Sequence, residues 1–464
     1  MFFKKKLSVF VFAMMNVAIV MNLRGLPMIA KTSSNMLFYI LFAAIIFLIP
    51  VALVSAELAT GWIKKGGIYF WVKEAFGNKL GFVAIWLQWI QNTVWYSTVL
   101  AFIAGALSYL FVSPRLAENN IFIISTILII YWGATFINFK GLKLASSFTS
   151  LCVVFGTIIP GIFIIILGLI WILQGNSLNL KPDIIPDFSN LNNIAFLAGT
   201  VLLFAVIEVD AVHVMNLDHP KKNYPKALLI ASITIASIFL LGSFSLAAVI
   251  PQDQISLTYG IMQGFNYLLE YHNLGFLLPV IGFFVAFGGL GSVTAWIAGP
   301  SKGLLATAKH GDLPPFLQYT NKKGVQTHIL YLQGAIVTIL SFSYVLIPDI
   351  SSAFFLLTAL TVVLYLTMYM LLFTAAIKLR YKRPNIERPY KIPGKNWGMW
   401  LVSIIGLLGV IFAFIVGFFP PDELNIESKK TYISFIVIGE IVFVSVPFLI
   451  QFLKKPSWKQ KDNS

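Results

Sequence analysis

Six ionisable residues stand inside stretches that are otherwise long and apolar: Arg24, Glu57, Glu208, Asp210, His213 and Glu440. A charge at the centre of a hydrocarbon layer costs at least ~2.5–3.5 kcal/mol on insertion scales, so such residues mark a cavity, a pairing or a helix end. Arg24 belongs to "MNLRGLPMIA", residues 21–30, where an arginine, a glycine and a proline fall within four positions. Unwound backbone at membrane depth is tolerated where it lines a cavity or is buried in protein. There the N–H groups of a half-helix can meet a carboxylate, and freed carbonyls can meet a cation or an ammonium. Asn22 to Pro27 has the composition of such a break: Gly25 allows unusual backbone angles, and Pro27 suits the first turn of a new half-helix. A simple proline kink would account for Pro27 but not for Arg24.

The second concentration is "FAVIEVDAVHVMNLDHP", residues 204–220. Glu208 and Asp210 are two apart and point to different sides of a regular helix. Asp210 and His213 are three apart and can touch on one face. The cluster either braces helix contacts or forms a substrate or proton site, and a histidine that titrates near neutral pH suits the latter. Glu57, near the end of its apolar run, reads as a helix-end carboxylate holding an inner loop, and Glu440 as a pairing with a neighbouring helix. Arg24 lies about seventeen residues beyond the inner start of its run, roughly 25 Å at ~1.5 Å per residue. Glu57 is therefore at the wrong height to meet it. Two roles compete for Arg24: pairing with Glu208 or Asp210 across a central cavity, or binding a substrate carboxylate.

These residues are positioned by a chain made for lipid. It has 464 residues, 58% hydrophobic and 11% charged, with a mean hydropathy of +0.85. So few charges could not cover the apolar surface of a soluble protein. Runs able to cross a hydrocarbon core of ~30 Å lie near 7–30, 35–60, 80–111, 119–138, 143–174, 192–217, 226–250, 274–308, 325–347, 350–380, 397–419 and 431–453. With the N-terminus inside, 27 of the 33 lysines and arginines fall in inner segments and 5 in outer ones, the last being Arg24. The positive-inside rule thus favours twelve spans with both termini cytoplasmic. The net charge of +15 is spread over the inner loops, which speaks against a nucleic-acid partner. Lys4 to Lys6 before an apolar run imitate a signal peptide, but no A-x-A-like site follows at the right distance, so 7–30 is read as a retained span. Cys152, the single cysteine, cannot form an intrachain disulfide. The break in the first run and the polar cluster in the sixth sit at corresponding places in two five-span halves, as an inverted-repeat transporter would have them. An intramembrane enzyme would need a nucleophile–base or metal constellation. The chain has no H-E-x-x-H, no G-x-S-x-G, no Cys/His cluster and no phosphate-binding glycine loop. No cofactor is implied, and nothing in the sequence indicates an oligomeric state.

The chain resembles the amino acid–polyamine–organocation superfamily, and within it the bacterial glutamate/γ-aminobutyrate antiporters. The resemblance rests on "RGLP" in the first span, "AELATGWIKKGGIYFWVKEAFG" (56–77), "IWLQWIQ" (85–91), "DHPKKNYPKA" (218–227), "TAWIAGPSKGL" (294–304) and "LTALTVVLYL" (357–366). It implies an all-α polytopic protein of twelve helices. A ten-helix core over 1–380 would be two inverted repeats, 7–174 and 192–380, with broken helices in spans one and six. Two peripheral helices (381–454) and a short cytoplasmic tail (455–464) would follow. The implied activity is exchange of amino acids across the inner membrane by alternating access, with proton-coupled symport on the same fold as the alternative. By position, the resemblance implies a substrate site of Asn22, Leu23, Arg24, Gly25, Gln91, Ile207, Glu208, Ser292, Trp296 and Tyr365, with Glu208, Asp210 and His213 coupling or gating. Trp86, Trp89 and Trp95 read as packing or interface aromatics, and Trp296 as packing or cavity. Three departures stand out. The run "FAVIE" lacks the glycine that usually precedes the glutamate, Ser292 stands where that antiporter has a glutamate, and "KPSWKQKDNS" is too short to serve as the family's pore-plugging tail.

Overall fold

The computed structural model describes residues 7–63, 67–180, 184–204, 209–257, 259–346, 350–419 and 429–459. These are helical apart from turns and one isolated parallel β-bridge, Leu7 to Leu217. The chain starts with α1 (Val9–Val20) and α2 (Gly25–Ala30), followed by α3 (Ser33–Gly61), the short α4 (Ile68–Phe76) and α5 (Asn78–Leu110). Next come α6 (Asn120–Phe139), α7 (Leu144–Leu173) and α8 (Leu191–Leu203). A 3₁₀ turn over Val209–Asn216 leads into α9 (Pro220–Val249) and the short helix α10 (Gly260–Tyr271). The last five are α11 (Gly275–Asp312), α12 (Thr327–Leu346), α13 (Ile350–Lys382), α14 (Lys395–Val416) and α15 (Lys429–Phe452). Among the described residues ten helices are long and apolar enough to cross a membrane: α3, α5, α6, α7, α9 and α11 to α15. The chain is a multi-pass membrane protein.

Burial orders the helices. In α5, 83% of the apolar window is buried, against 11% in α15. So α5 is the central post, packed by α4, α6, α11 and α13, while α15 is peripheral. Gly77, at φ +100°, makes the turn from α4 into α5 that a side chain would resist. Two helices bulge for one reason. The π segments Ala44–Leu48 in α3 and Val154–Ile158 in α7 each end two residues before a proline, Pro50 or Pro160. A proline offers no N–H to the carbonyl four residues back, here Ile46 or Gly156. Each freed carbonyl faces a glycine on another helix. A Cβ on Gly409 of α14 would lie 2.9 Å from the Ile46 oxygen, and one on Gly288 of α11 would lie 2.3 Å from that of Gly156. The glycines let the helices close on the bulges.

Two ties join segments distant in the chain. The Leu7 N–H donates to Asn216 O at 2.7 Å and the Asp218 N–H to Leu7 O at 2.9 Å, linking the approach to α1 with the chain before α9. After α15, Lys454 pairs with the buried Asp312 at 2.7 Å, and Gln318 donates to the Trp458 carbonyl at 2.7 Å. The last described turn thus docks on the end of α11.

Candidate functional site

Helix α1 stops because its backbone leaves the helical region at Met21, φ −81° and ψ 106°. Val17 O is the last carbonyl served from within, by the Met21 N–H at 2.7 Å. The carbonyls of Ala18 and Ile19 then lack their usual donors four residues on. Helix α11 supplies substitutes. The Ser292 hydroxyl donates to Ala18 O at 2.7 Å, and the Trp296 indole N–H donates to Ile19 O at 3.1 Å. Ser292 and Trp296 are four apart and so share one face of their helix. Both are buried, at 2% and 3% exposure, so no water competes for these carbonyls.

The chain then turns tightly. Asn22 Oδ1 accepts the Arg24 N–H at 3.0 Å, an Asx turn, and the Gly25 N–H returns to Asn22 O at 2.9 Å. The Asn22 Nδ2 is buried without a partner. Helix α2 opens at Gly25, with Pro27 in its first turn. Gly25 is helical, not left-handed, which corrects the expectation that it serves backbone freedom. It is needed for room: a Cβ there would lie 2.8 Å from the Phe239 ring and 3.0 Å from Leu203. Leu23 is buried in the core, and Leu26 O accepts the Ser243 hydroxyl at 3.1 Å.

Arg24 points across the break to α5. Its Nη1 donates to Thr98 Oγ1 at 2.7 Å, and its guanidinium carbon lies 5.9 Å from the Trp95 ring centroid and 5.3 Å from that of Phe354. Trp95 also lies 5.4 Å from the Trp296 ring, and Asn92 Nδ2 reaches Tyr96 Oη at 2.7 Å and Trp296 O at 3.4 Å. One patch thus gathers Asn22, Arg24, Asn92, Trp95, Thr98, Ser292 and Trp296. Gln91 is buried but donates to Gln88 O of its own helix at 3.1 Å, and the Tyr365 ring packs on Tyr369 at 4.8 Å. Ile207 and Glu208 lie outside the described residues. Asp210 and His213 belong to the 3₁₀ turn, and their side chains lie outside the described set. Thr98 and Phe354 were missed from the sequence. The signal for the first was faint: Gln91, Trp95 and Thr98 recur at four and three residues, one face of α5.

The remaining membrane-depth acids have other work. Glu57, fully buried, pairs with Arg380 Nη2 at 2.6 Å and Arg388 Nε at 3.4 Å, and accepts the Ile392 N–H at 2.9 Å. It holds the segment between α13 and α14 to the end of α3. Burial pulls the Arg388 guanidinium below its ordinary range, and Glu57 opposes that shift. Glu440 accepts the Thr367 hydroxyl of α13 at 2.7 Å, a helix-to-helix pairing away from the break.

Comparison with known proteins agrees with this architecture. Residues 6–443 match the model of the amino acid permease family. The chain is 42% identical over 454 residues, 97% of each chain, to an uncharacterized transporter of Legionella pneumophila. It is 35% identical over 458 residues to a glutamate/gamma-aminobutyrate antiporter of Lactococcus lactis, covering 96% of this chain and 90% of the relative. It is 25% identical over 452 residues, 95% of each, to a probable agmatine/putrescine antiporter of the same species.

Proposed function

The chain belongs to the amino acid permease family, and from that premise we propose that this transporter exchanges amino acids across a bacterial inner membrane by alternating access. The split apolar segments 7–30 and 192–217 count as spans one and six, which with the ten long helices makes twelve. Both termini are cytoplasmic. Residues 7–174 and 192–380 form the inverted repeats, and α14 and α15 are peripheral. The substrate lies at the span-one break, against Asn22, Leu23, Arg24, Gly25, Gln91, Ile207, Glu208, Ser292, Trp296 and Tyr365, with Glu208, Asp210 and His213 gating or coupling.

One observation carries this reading. The end of α1 is held open by side chains of α11, and beside it stand a buried amide donor on Asn22 and the guanidinium of the half-buried Arg24. Backbone unwound and kept polar at membrane depth suits a bound zwitterion. An amino acid's carboxylate finds N–H donors there, and its ammonium finds carbonyls. Glutamate and γ-aminobutyrate, named for the Lactococcus relative, are the first substrates to test. Purified protein in liposomes loaded with γ-aminobutyrate should accumulate labelled glutamate faster than in empty liposomes. Equal uptake into both, driven by a proton gradient, would support symport instead.

A further inference from the structure

The Thr98 hydroxyl proton is already committed to Trp95 O at 2.9 Å. Thr98 therefore faces Arg24 with lone pairs alone, and Nη1 takes them at 2.7 Å. The faces of Trp95 and Phe354 also flank the guanidinium, attracting a cation through their quadrupoles without neutralising it, and the Tyr344 side chain lies near enough to interact with it electrostatically. Among the described residues no carboxylate lies within ion-pair distance of Arg24. Glu57 is committed to Arg380 and Arg388, and Glu440 to Thr367. Among the described residues, the Thr98 hydroxyl, two rings and the nearby Tyr344 surround the charge, and none of them is a carboxylate. The residue as a whole is half-buried.

We infer that Arg24 is the charge filter of the transport path: solutes with a second carboxylate or an uncharged side chain pass, and those with a cationic side chain, including decarboxylated diamines, are refused. This rests on the transport reading above. Two unit charges about 6 Å apart at an effective dielectric of about 20 alter each other's binding by roughly a hundredfold. The same field that favours a side-chain carboxylate by that factor disfavours an ammonium by it. Refusal is thus built in as a repulsive element rather than as a missing contact.

The test is competition against labelled amino acid counterflow in proteoliposomes. With wild-type protein, lysine and putrescine should fail to compete at about hundredfold excess, whereas neutral and acidic amino acids compete. In Arg24→Gln, the ratio of apparent affinities for acidic over cationic solutes should fall by up to roughly ten-thousandfold, a hundredfold from each sign of charge. Arg24→Glu should carry that ratio further, and Arg24→Lys should largely retain it. Effective competition by lysine or putrescine in the wild type would overturn the filter, whatever the variants do. So would an unchanged charge ranking in Arg24→Gln, or an Arg24→Gln protein that folds only when Glu208→Gln is added, since that rescue would mark a paired arginine. Absence of any wild-type amino acid counterflow would instead remove the transport reading itself.

Discussion

Replacing Trp296 by phenylalanine keeps a ring beside Trp95 and removes one N–H. The carbonyl of Ile19 then loses the donor seen at 3.1 Å. An average hydrogen bond between membrane helices contributes only ~0.6 kcal/mol. This one should count for more, because the carbonyl it serves has no helical donor and is closed to water. Stranding such a group costs ~1–3 kcal/mol, and Trp296→Phe should lower stability by that amount in thermal unfolding of the purified protein. Ser292→Ala should do the same through Ala18 O. The two carbonyls are adjacent in one frayed turn, so the double variant should show coupling of about 0.5–3 kcal/mol instead of simple addition. Thr294→Ala is the control. Its hydroxyl donates to Leu290 O within its own helix at 2.8 Å, where the carbonyl already has a backbone donor, and its loss should barely register. Both cap variants should also weaken apparent substrate affinity in counterflow, because the break they hold frames the proposed site. A Trp296→Phe protein that melts with the parent and exchanges with parental affinity would refute the capping argument.

Glu57→Ala should destabilise the protein by ~3–5 kcal/mol in the same unfolding assay, because it strands two buried arginines. Parental stability would mean the inner clamp is idle. Gly156→Val should cost at least ~1–3 kcal/mol through overpacking, since even a Cβ would meet the Gly288 backbone N at 2.1 Å, a contact that no side-chain movement relieves. Unaltered melting would show that α7 and α11 do not approach so closely. His213→Gln should shift or flatten the pH dependence of exchange if the Asp210–His213 spacing on span six serves coupling. A pH–rate profile superimposed on the parent's would remove His213 from the mechanism.

How much of this was legible in the sequence differs by residue. The long helices were, because a run of about 20 apolar residues is itself the physical requirement for crossing a bilayer. So was the work of Glu57, since a carboxylate at a helix end beside basic inner segments meets local partners. The residue types from Asn22 to Pro27 disfavour an unbroken helix, and the backbone leaves the helical region between Val20 and Gly25. The means of holding that break open was not legible. Ser292 and Trp296 were picked out by resemblance as substrate contacts, while their bonds to Ala18 and Ile19 cross about 270 positions of chain and leave no local pattern. Gly25 misled for a related reason. Its use is the close approach of Phe239 and Leu203, which depends on helices that meet it only in the fold. The surroundings of Arg24 were missed: Trp95 and Thr98 share a face of α5, a faint pattern, and Phe354 comes from another helix altogether.

Obligatory exchange is the central claim, and efflux tests it most directly. Proteoliposomes are loaded with labelled glutamate, diluted into buffer with or without unlabelled γ-aminobutyrate or glutamate, and the label remaining inside is followed. An exchanger should release label only when an amino acid is present outside, and external lysine should not replace it. Release into amino-acid-free buffer at the same rate, or no release under any condition, would contradict the account.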